Sequence, residues 1–230
     1  MKKVPVKKVL ILLSGGVDSS TALAKAIADG CEAIALSVSY GQKHIKEIKA
    51  AENIAGYYKI PLKKIDLNAV FADSDCSLLS GSNREIPLES YAEQIEKTGG
   101  KTPVSTYVPF RNGLFISAAA AVAISNGCTA VIYGAHADDS AGNAYPDCSP
   151  EFFAAMNEAL KTGGNITLEA PFINMNKAQI VELGLRLGVP YDLTWSCYYG
   201  GETPCGKCGT CIDRANAFNI AYKIRGKNND

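Results

Sequence analysis

Val9-Leu10-Ile11-Leu12-Leu13-Ser14-Gly15-Gly16-Val17-Asp18-Ser19-Ser20 is an apolar run that breaks at two glycines and opens onto a helix-forming stretch. Five consecutive apolar residues suit a short strand buried on both faces. Adjacent glycines let the backbone turn tightly and bring its amides close to an anion. The helix expected over residues 17–28 then presents unpaired N–H groups and the positive end of its dipole. Ser14, Ser19 and Ser20 add hydroxyls, and Asp18 is placed to hold a Mg²⁺ that bridges phosphates. Strand, S-G-G-x-D-S turn and helix in this order read as a phosphate-binding loop.

Outward from this loop the pattern repeats. Strands are expected over residues 33–38, 62–67 and 130–133, and helices over 45–57, 112–125, 150–161 and 176–187. Such alternation predicts an α/β fold, a doubly wound parallel sheet of Rossmann type. Ligands then bind beyond the carboxyl ends of the strands, which directs attention to Ser14–Ser19, Ser37–Gly41 and Gly134–Asp139. A polar segment over about 68–103 is expected to be one long connection, functional or mobile.

The 230 residues are 47% hydrophobic and 20% charged, an ordinary globular composition. Lysine plus arginine and aspartate plus glutamate both total 23. This balance argues against a partner bound through a large phosphate-neutralising surface, so no nucleic-acid partner is expected. The apolar run at residues 9–13 is too short for a signal-peptide core, and none approaches the roughly 20 residues of a membrane span. A cytoplasmic protein with no membrane partner is expected.

Of eight cysteines, Cys197, Cys205, Cys208 and Cys211 fall within fifteen residues. In a reducing compartment this cluster reads as a metal site rather than a disulfide framework. Two thiolates separated by two residues can reach one tetrahedral ion, which points to Zn²⁺, with an iron–sulfur cluster as the alternative. The chain is expected to divide into a nucleotide domain over 1–190 and a small four-cysteine zinc-binding segment over 191–230 packed on it. Two rival nucleotide loops fail: no G-x-G-x-x-G is present, and Gly100-Lys101-Thr102 lacks the first glycine of a Walker A, its place being held by Ile95.

The phosphate loop resembles that of the PP-loop, or N-type, ATP pyrophosphatases. This resemblance implies an adenine nucleotide α-hydrolase-like fold, cleavage of ATP to AMP and pyrophosphate, and an adenylated intermediate. On the family pattern Ser14, Gly15, Gly16, Val17, Ser19 and Ser20 cradle the phosphates, Asp18 serves Mg²⁺, and the adenine lies near Ser37 and Tyr40. Thr106-Tyr107-Val108-Pro109-Phe110-Arg111-Asn112, Gly134-Ala135-His136-Ala137-Asp138-Asp139, Tyr145-Pro146-Asp147-Cys148 and the cysteine cluster together resemble the 7-cyano-7-deazaguanine synthases of queuosine biosynthesis. Two departures stand out: Asp139–Ala144 lacks the D-Y-S-G spacing of many members, and Phe110 replaces a common small residue. The resemblance implies 7-carboxy-7-deazaguanine and ammonia as substrates, with ATP, Mg²⁺ and Zn²⁺, and a homodimer.

Within that reading Arg111 suits a phosphate or carboxylate clamp, its planar fork matching either anion; a surface ion pair is the plainer alternative. Lys177 matches a lysine that the family sets near the α-phosphate, or is a solvated helix residue. Asp147 could pair with the N1–H and amino edge of the base, or cap a helix. Tyr145 stacks on the ring or packs. His136 and Asp138, with Asp139 beside them, are substrate or metal ligands or structural groups. Cys148 has no identifiable base and reads as a pocket-lining residue. A tRNA-thiolating relative and a non-catalytic zinc-ribbon adaptor are the competing functions.

Overall fold

Alternate residues of the central strand feed two separate cores. The computed structural model describes residues 6–227. Its elements run β1 (Lys8–Leu12), α1 (Val17–Ala28), β2 (Glu32–Ser39), α2 (Lys46–Tyr57), β3 (Leu62–Asp66), α3 (Tyr91–Thr98), α4 (Arg111–Ser125), β4 (Ala130–Ile132), α5 (Ala137–Ser140), α6 (Pro150–Gly164), β5 (Thr167–Glu169), α7 (Lys177–Arg186) and α8 (Gly209–Lys227). The strands form one parallel sheet in the order β3-β2-β1-β4-β5. Val9 and Ile11 of β1 pack with Ala35, Ile132, Leu23 and Ile54 on one face. Leu10 packs with Leu36, Val131, Ile116 and Leu160 on the other. Period-two alternation within a nearly all-apolar strand therefore serves both faces of a covered sheet.

The expected doubly wound sheet is present, with strands and helices close to their expected places. Strand order reverses between β1 and β4, so the crevice at their carboxyl ends is the topological switch point. Both the phosphate loop after β1 and His136 after β4 open into it.

Besides the single turn α5, three elements were not expected from the sequence. β5 is a three-residue edge strand paired only with β4. α3 interrupts the polar segment and starts with a capping box, Ser90 accepting from the Glu93 amide and Glu93 from that of Ser90. The same segment buries Phe71, Leu78, Leu79 and Ile86 against Cys197, Cys208 and Cys211. It is thus the lid of the cysteine cluster rather than one free connection.

The third is α8, which carries Cys211 in its first turn and packs on α7, Ala217 and Ala221 meeting Ala178 and Val181. The segment expected at 191–230 is therefore a helix against the body of the fold, preceded by the cysteine turns. Residues 1–5 and 228–230 of the two expected parts lie outside the described residues. Among the described residues, no helix is long and apolar enough to cross a membrane.

Candidate active site

One cavity of about 690 Å³ occupies the switch point. Its floor is the phosphate loop. Ser14 and Ser19 share a hydroxyl contact of 3.0 Å, and the Gly16 amide donates to Ser14 Oγ at 3.3 Å. α1 begins after Gly16 without a side-chain cap, which leaves its first amides facing the cavity. Gly15 sits at φ +83°, and a Cβ there would lie 2.5 Å from the Ala51 nitrogen and the Glu47 carbonyl oxygen. Gly15→Ala combines left-handed strain with a backbone clash. It is expected to cost about 3 kcal/mol or more and to displace the loop, read as a lowered melting temperature with loss of nucleotide turnover.

Asp18 and Lys177 meet across the cavity, Lys177 Nζ donating to Asp18 Oδ2 at 2.5 Å. Burial pushes the Asp18 carboxyl up, but Lys177 and His136 outweigh it and hold the pKa below the usual carboxylate range. Burial likewise opposes the Lys177 charge, and Asp18 and Asp139 overcome it. Both groups are charged at neutral pH. Asp18 Oδ1 is buried without a hydrogen-bond partner. A carboxylate oxygen left open beside a phosphate loop fits a Mg²⁺ ligand.

The remaining predicted residues fall into two groups. Ser14, Gly16, Val17, Asp18, Ser19, Ser37, Tyr40, Arg111, His136, Asp138, Tyr145, Cys148 and Lys177 all line the cavity. Gly15, Ser20 and Asp147 do not. Gly15 turns the loop from behind, and Ser20 is fully buried. Asp147 is also buried, and its Oδ2 accepts the Asn112 amide at 2.8 Å, capping α4. The carboxylate expected at the edge of the base is thus engaged by backbone. Asp138 Oδ2 accepts the Lys177 amide at 2.8 Å at the start of α7, and His136 Nε2 lies 3.4 Å from Asp139 Oδ1.

Arg111 has no carboxylate within ion-pair distance among the described residues. Its Nη1 is 3.4 Å from the Tyr40 hydroxyl, and its guanidinium lies over that ring. The departure at Phe110 has a visible consequence. This residue adopts φ 54°, a conformation that favours glycine, and its ring covers Gly113.

At the aromatic end of the cavity, sequence reasoning named Tyr145 but missed Tyr91 and Tyr198. Tyr91, Tyr145 and Tyr198 form its wall, with the Tyr91 and Tyr198 hydroxyls 2.5 Å apart and the Tyr91 and Tyr145 rings edge to face. It also missed Glu47, Trp195 and Asp213, which line the cavity. Burial raises Asp213 to about 6 against the opposing pull of Lys177. Asp213 lies two residues past Cys211, where no local signal separated it from a solvated helix residue.

The four clustered cysteines place their sulfurs within 4.8 Å of one another, and three of them are buried. A tetrahedral site with Zn–S of about 2.3 Å has sulfurs roughly 3.8 Å apart, so this set fits a four-thiolate ion. Backbone N–H groups of Lys207 and Cys208 donate to Cys205 Sγ at 3.4 and 3.3 Å. Burial resists ionisation of Cys205, but these donors bring its thiol down to about 7. The cluster is wired to the phosphate loop: the Trp195 amide donates to the Gly15 carbonyl at 2.9 Å, and Trp195 Nε1 to that of Cys197 at 2.8 Å.

A family model described as queuosine biosynthesis protein QueC matches residues 8–222. The chain belongs to this family. Its relatives include proteins named 7-cyano-7-deazaguanine synthase. That of Thermoplasma volcanium is 46% identical, covering 92% of this chain and 86% of its own. That of Archaeoglobus fulgidus is 42% identical, covering 92% and 85%. Among solved structures, NMN synthetase from Francisella tularensis superposes with a TM-score of 0.51 at 18% identity, covering 96% of this chain and 78% of that one. This last likeness is one of fold alone.

Proposed function

We propose that this chain converts 7-carboxy-7-deazaguanine and ammonia to 7-cyano-7-deazaguanine, splitting ATP to AMP and pyrophosphate through adenylated intermediates. The observation that carries the reading is the joining of a phosphate loop and a tyrosine-walled chamber within one cavity of about 690 Å³, in a chain of the QueC family. Kinship with synthases over nine-tenths of the chain favours it over tRNA thiolation and over an adaptor role.

The substrate carboxylate oxygen attacks the α-phosphorus and pyrophosphate leaves. Ammonia then adds to the acyl carbon, AMP departs and the nitrogen loses a proton, leaving an amide. Repetition on the amide oxygen, with loss of two N–H protons and AMP, leaves the nitrile. No protein nucleophile is needed. The chain's task is to hold reactants in line and stabilise phosphate charge.

The loop Ser14–Ser20 and the start of α1 take the leaving pyrophosphate, with Ser37 and Tyr40 beside the adenosine. Lys177 supplies positive charge at the α-phosphate. Arg111, His136, Asp138 and Tyr145 lie on the side of the deazaguanine. Asp18 would hold Mg²⁺, which supplies charge neutralisation to the phosphates when bound. Cys197, Cys205, Cys208 and Cys211 would hold Zn²⁺ in a closed, structural set. The same reading includes a cytoplasmic homodimer using ammonia, with no nucleic-acid partner.

Incubation with ATP, Mg²⁺, ammonium and 7-carboxy-7-deazaguanine, read by mass spectrometry, is expected to yield the nitrile with AMP and pyrophosphate. ADP and phosphate as the only nucleotide products would overturn the mechanism. AMP and pyrophosphate without the nitrile would overturn the assigned substrate.

A further inference from the structure

The capping role of Asp147 leaves open which group reads the base. Most charged side chains of the cavity are already engaged. Asp18 is bonded to Lys177, Asp138 takes the Lys177 amide, and Asp139 faces His136. Asp213 lies in the field of Lys177 and the neighbouring aspartates, at the phosphate-loop end. Glu47 and Arg111 remain. Both line the cavity, Arg111 meets the Tyr40 hydroxyl and ring, and no ion pair or hydrogen bond joins Glu47 to Arg111 among the described residues.

Their elements hold them so. Glu47 lies in the first turn of α2, whose backbone is fixed against Gly15. Arg111 is the first residue of α4, whose start is capped by Asp147 through the Asn112 amide. Opposite charges that line one cavity without bonding each other leave room for a polar ligand between them. Arg111 lines the same cavity as Tyr145 and Tyr198 of the chamber wall.

We propose that Glu47 and Arg111 together read the hydrogen-bonding edge of the deazaguanine, Glu47 accepting from N1–H and the 2-amino group and Arg111 donating to O6. The inference rests on the substrate assigned above. A guanine-type edge runs acceptor, donor, donor, which a guanidinium beside a carboxylate complements in order. Adenine offers a lone pair at N1, which a carboxylate repels. The pair would therefore also keep the two bases that enter this cavity in their separate places. Burial raises the Glu47 carboxyl to about 7 against the pull of Arg111, a cost that two ligand donors offset.

The test compares kcat/KM for 7-carboxy-7-deazaguanine and for its analogue lacking the 2-amino group. The wild-type enzyme is expected to prefer the former by about 30-fold or more. In Glu47→Ala the preference falls below about 3-fold, with the KM for ATP within about twofold of wild type. Glu47→Gln keeps the volume should the alanine variant fail to fold, and its single acceptor is expected to leave a reduced preference. Wild-type preference in a folded variant, or a raised KM for ATP with preference intact, would overturn the assignment. A wild-type enzyme that makes no nitrile from the carboxylate would instead remove the substrate reading and this inference with it.

Discussion

Asp18→Ala is expected to lower kcat by on the order of 10³-fold while the melting temperature stays within a few degrees of wild type. The carboxylate occupies the first turn of α1, with one oxygen on Lys177 and the other without a hydrogen bond, 3.8 Å from His136 Nε2. Its removal takes away the proposed metal ligand and the hydrogen-bond partner of Lys177. It takes away no core volume, because the side chain lines the cavity and water can fill the space. Lys177 keeps the field of Asp139, which limits the cost of losing its partner. Asp18→Asn separates charge from shape and is expected to be nearly as inactive. Because the fold depresses the Asp18 pKa, its stabilising contribution is complete above the ordinary carboxylate value and is lost only as the pH falls through the folded one. Assays near neutrality therefore compare variants against a fully ionised wild type. AMP release at the wild-type rate would remove the loop assignment, and a collapse in melting temperature would make Asp18 a structural residue.

The phosphate loop was legible because local rules and the global fold agree there. An apolar strand, two glycines and a helix start need no distant partner to be recognised, and β1 lies at the centre of the sheet. β5 was not legible, since three residues at an edge carry too little pattern. α8 was hidden for another reason. Its buried contacts are small residues such as Ala217 and Ala221, while Ile220 and Tyr222 stay exposed, so no clear apolar stripe marks its face. Glu47 illustrates a limit specific to sites. In the sequence it is one more polar residue of an amphipathic helix, and only the approach of α2 to Gly15 brings it to the cavity. Asp147 shows the converse, a motif carboxylate that tertiary structure places on a helix start. The resemblance strings contribute residues that line one cavity, but which side chain faces it is set by packing between elements distant in sequence.

Cys205→Ser is expected to lose bound zinc and roughly 3 kcal/mol or more of stability together, a fraction of the ~10–16 kcal/mol with which cysteine-rich peptides hold the ion. Without the ion, three buried thiols face one another, and the turns between Cys197 and Cys211 keep only hydrogen bonds such as those of Tyr199 to the Ile86 carbonyl and Lys46 to the Glu202 carbonyl. The loss would spread in two directions. Phe71, Leu78, Leu79 and Ile86 pack directly on the cysteines and would lose their support. Trp195, held through its indole to the Cys197 carbonyl, donates its amide to Gly15, so the phosphate loop loosens as the turns do. Thr210 Oγ1 bonds the Ser196 carbonyl at 2.7 Å, and Arg214 fastens Tyr191 and Thr194, tying the base of α8 to the same strap. Metal removal should therefore raise the KM for ATP as well as lower the melting temperature, although none of the four clustered cysteines lines the cavity. Zinc content, unfolding midpoint and nucleotide affinity measured on one preparation decide the matter. If all three fall together, the cluster is the brace that holds the phosphate loop in place. Zinc lost with melting and nucleotide affinity unchanged would mean that hydrogen bonds and the apolar lid suffice without the ion.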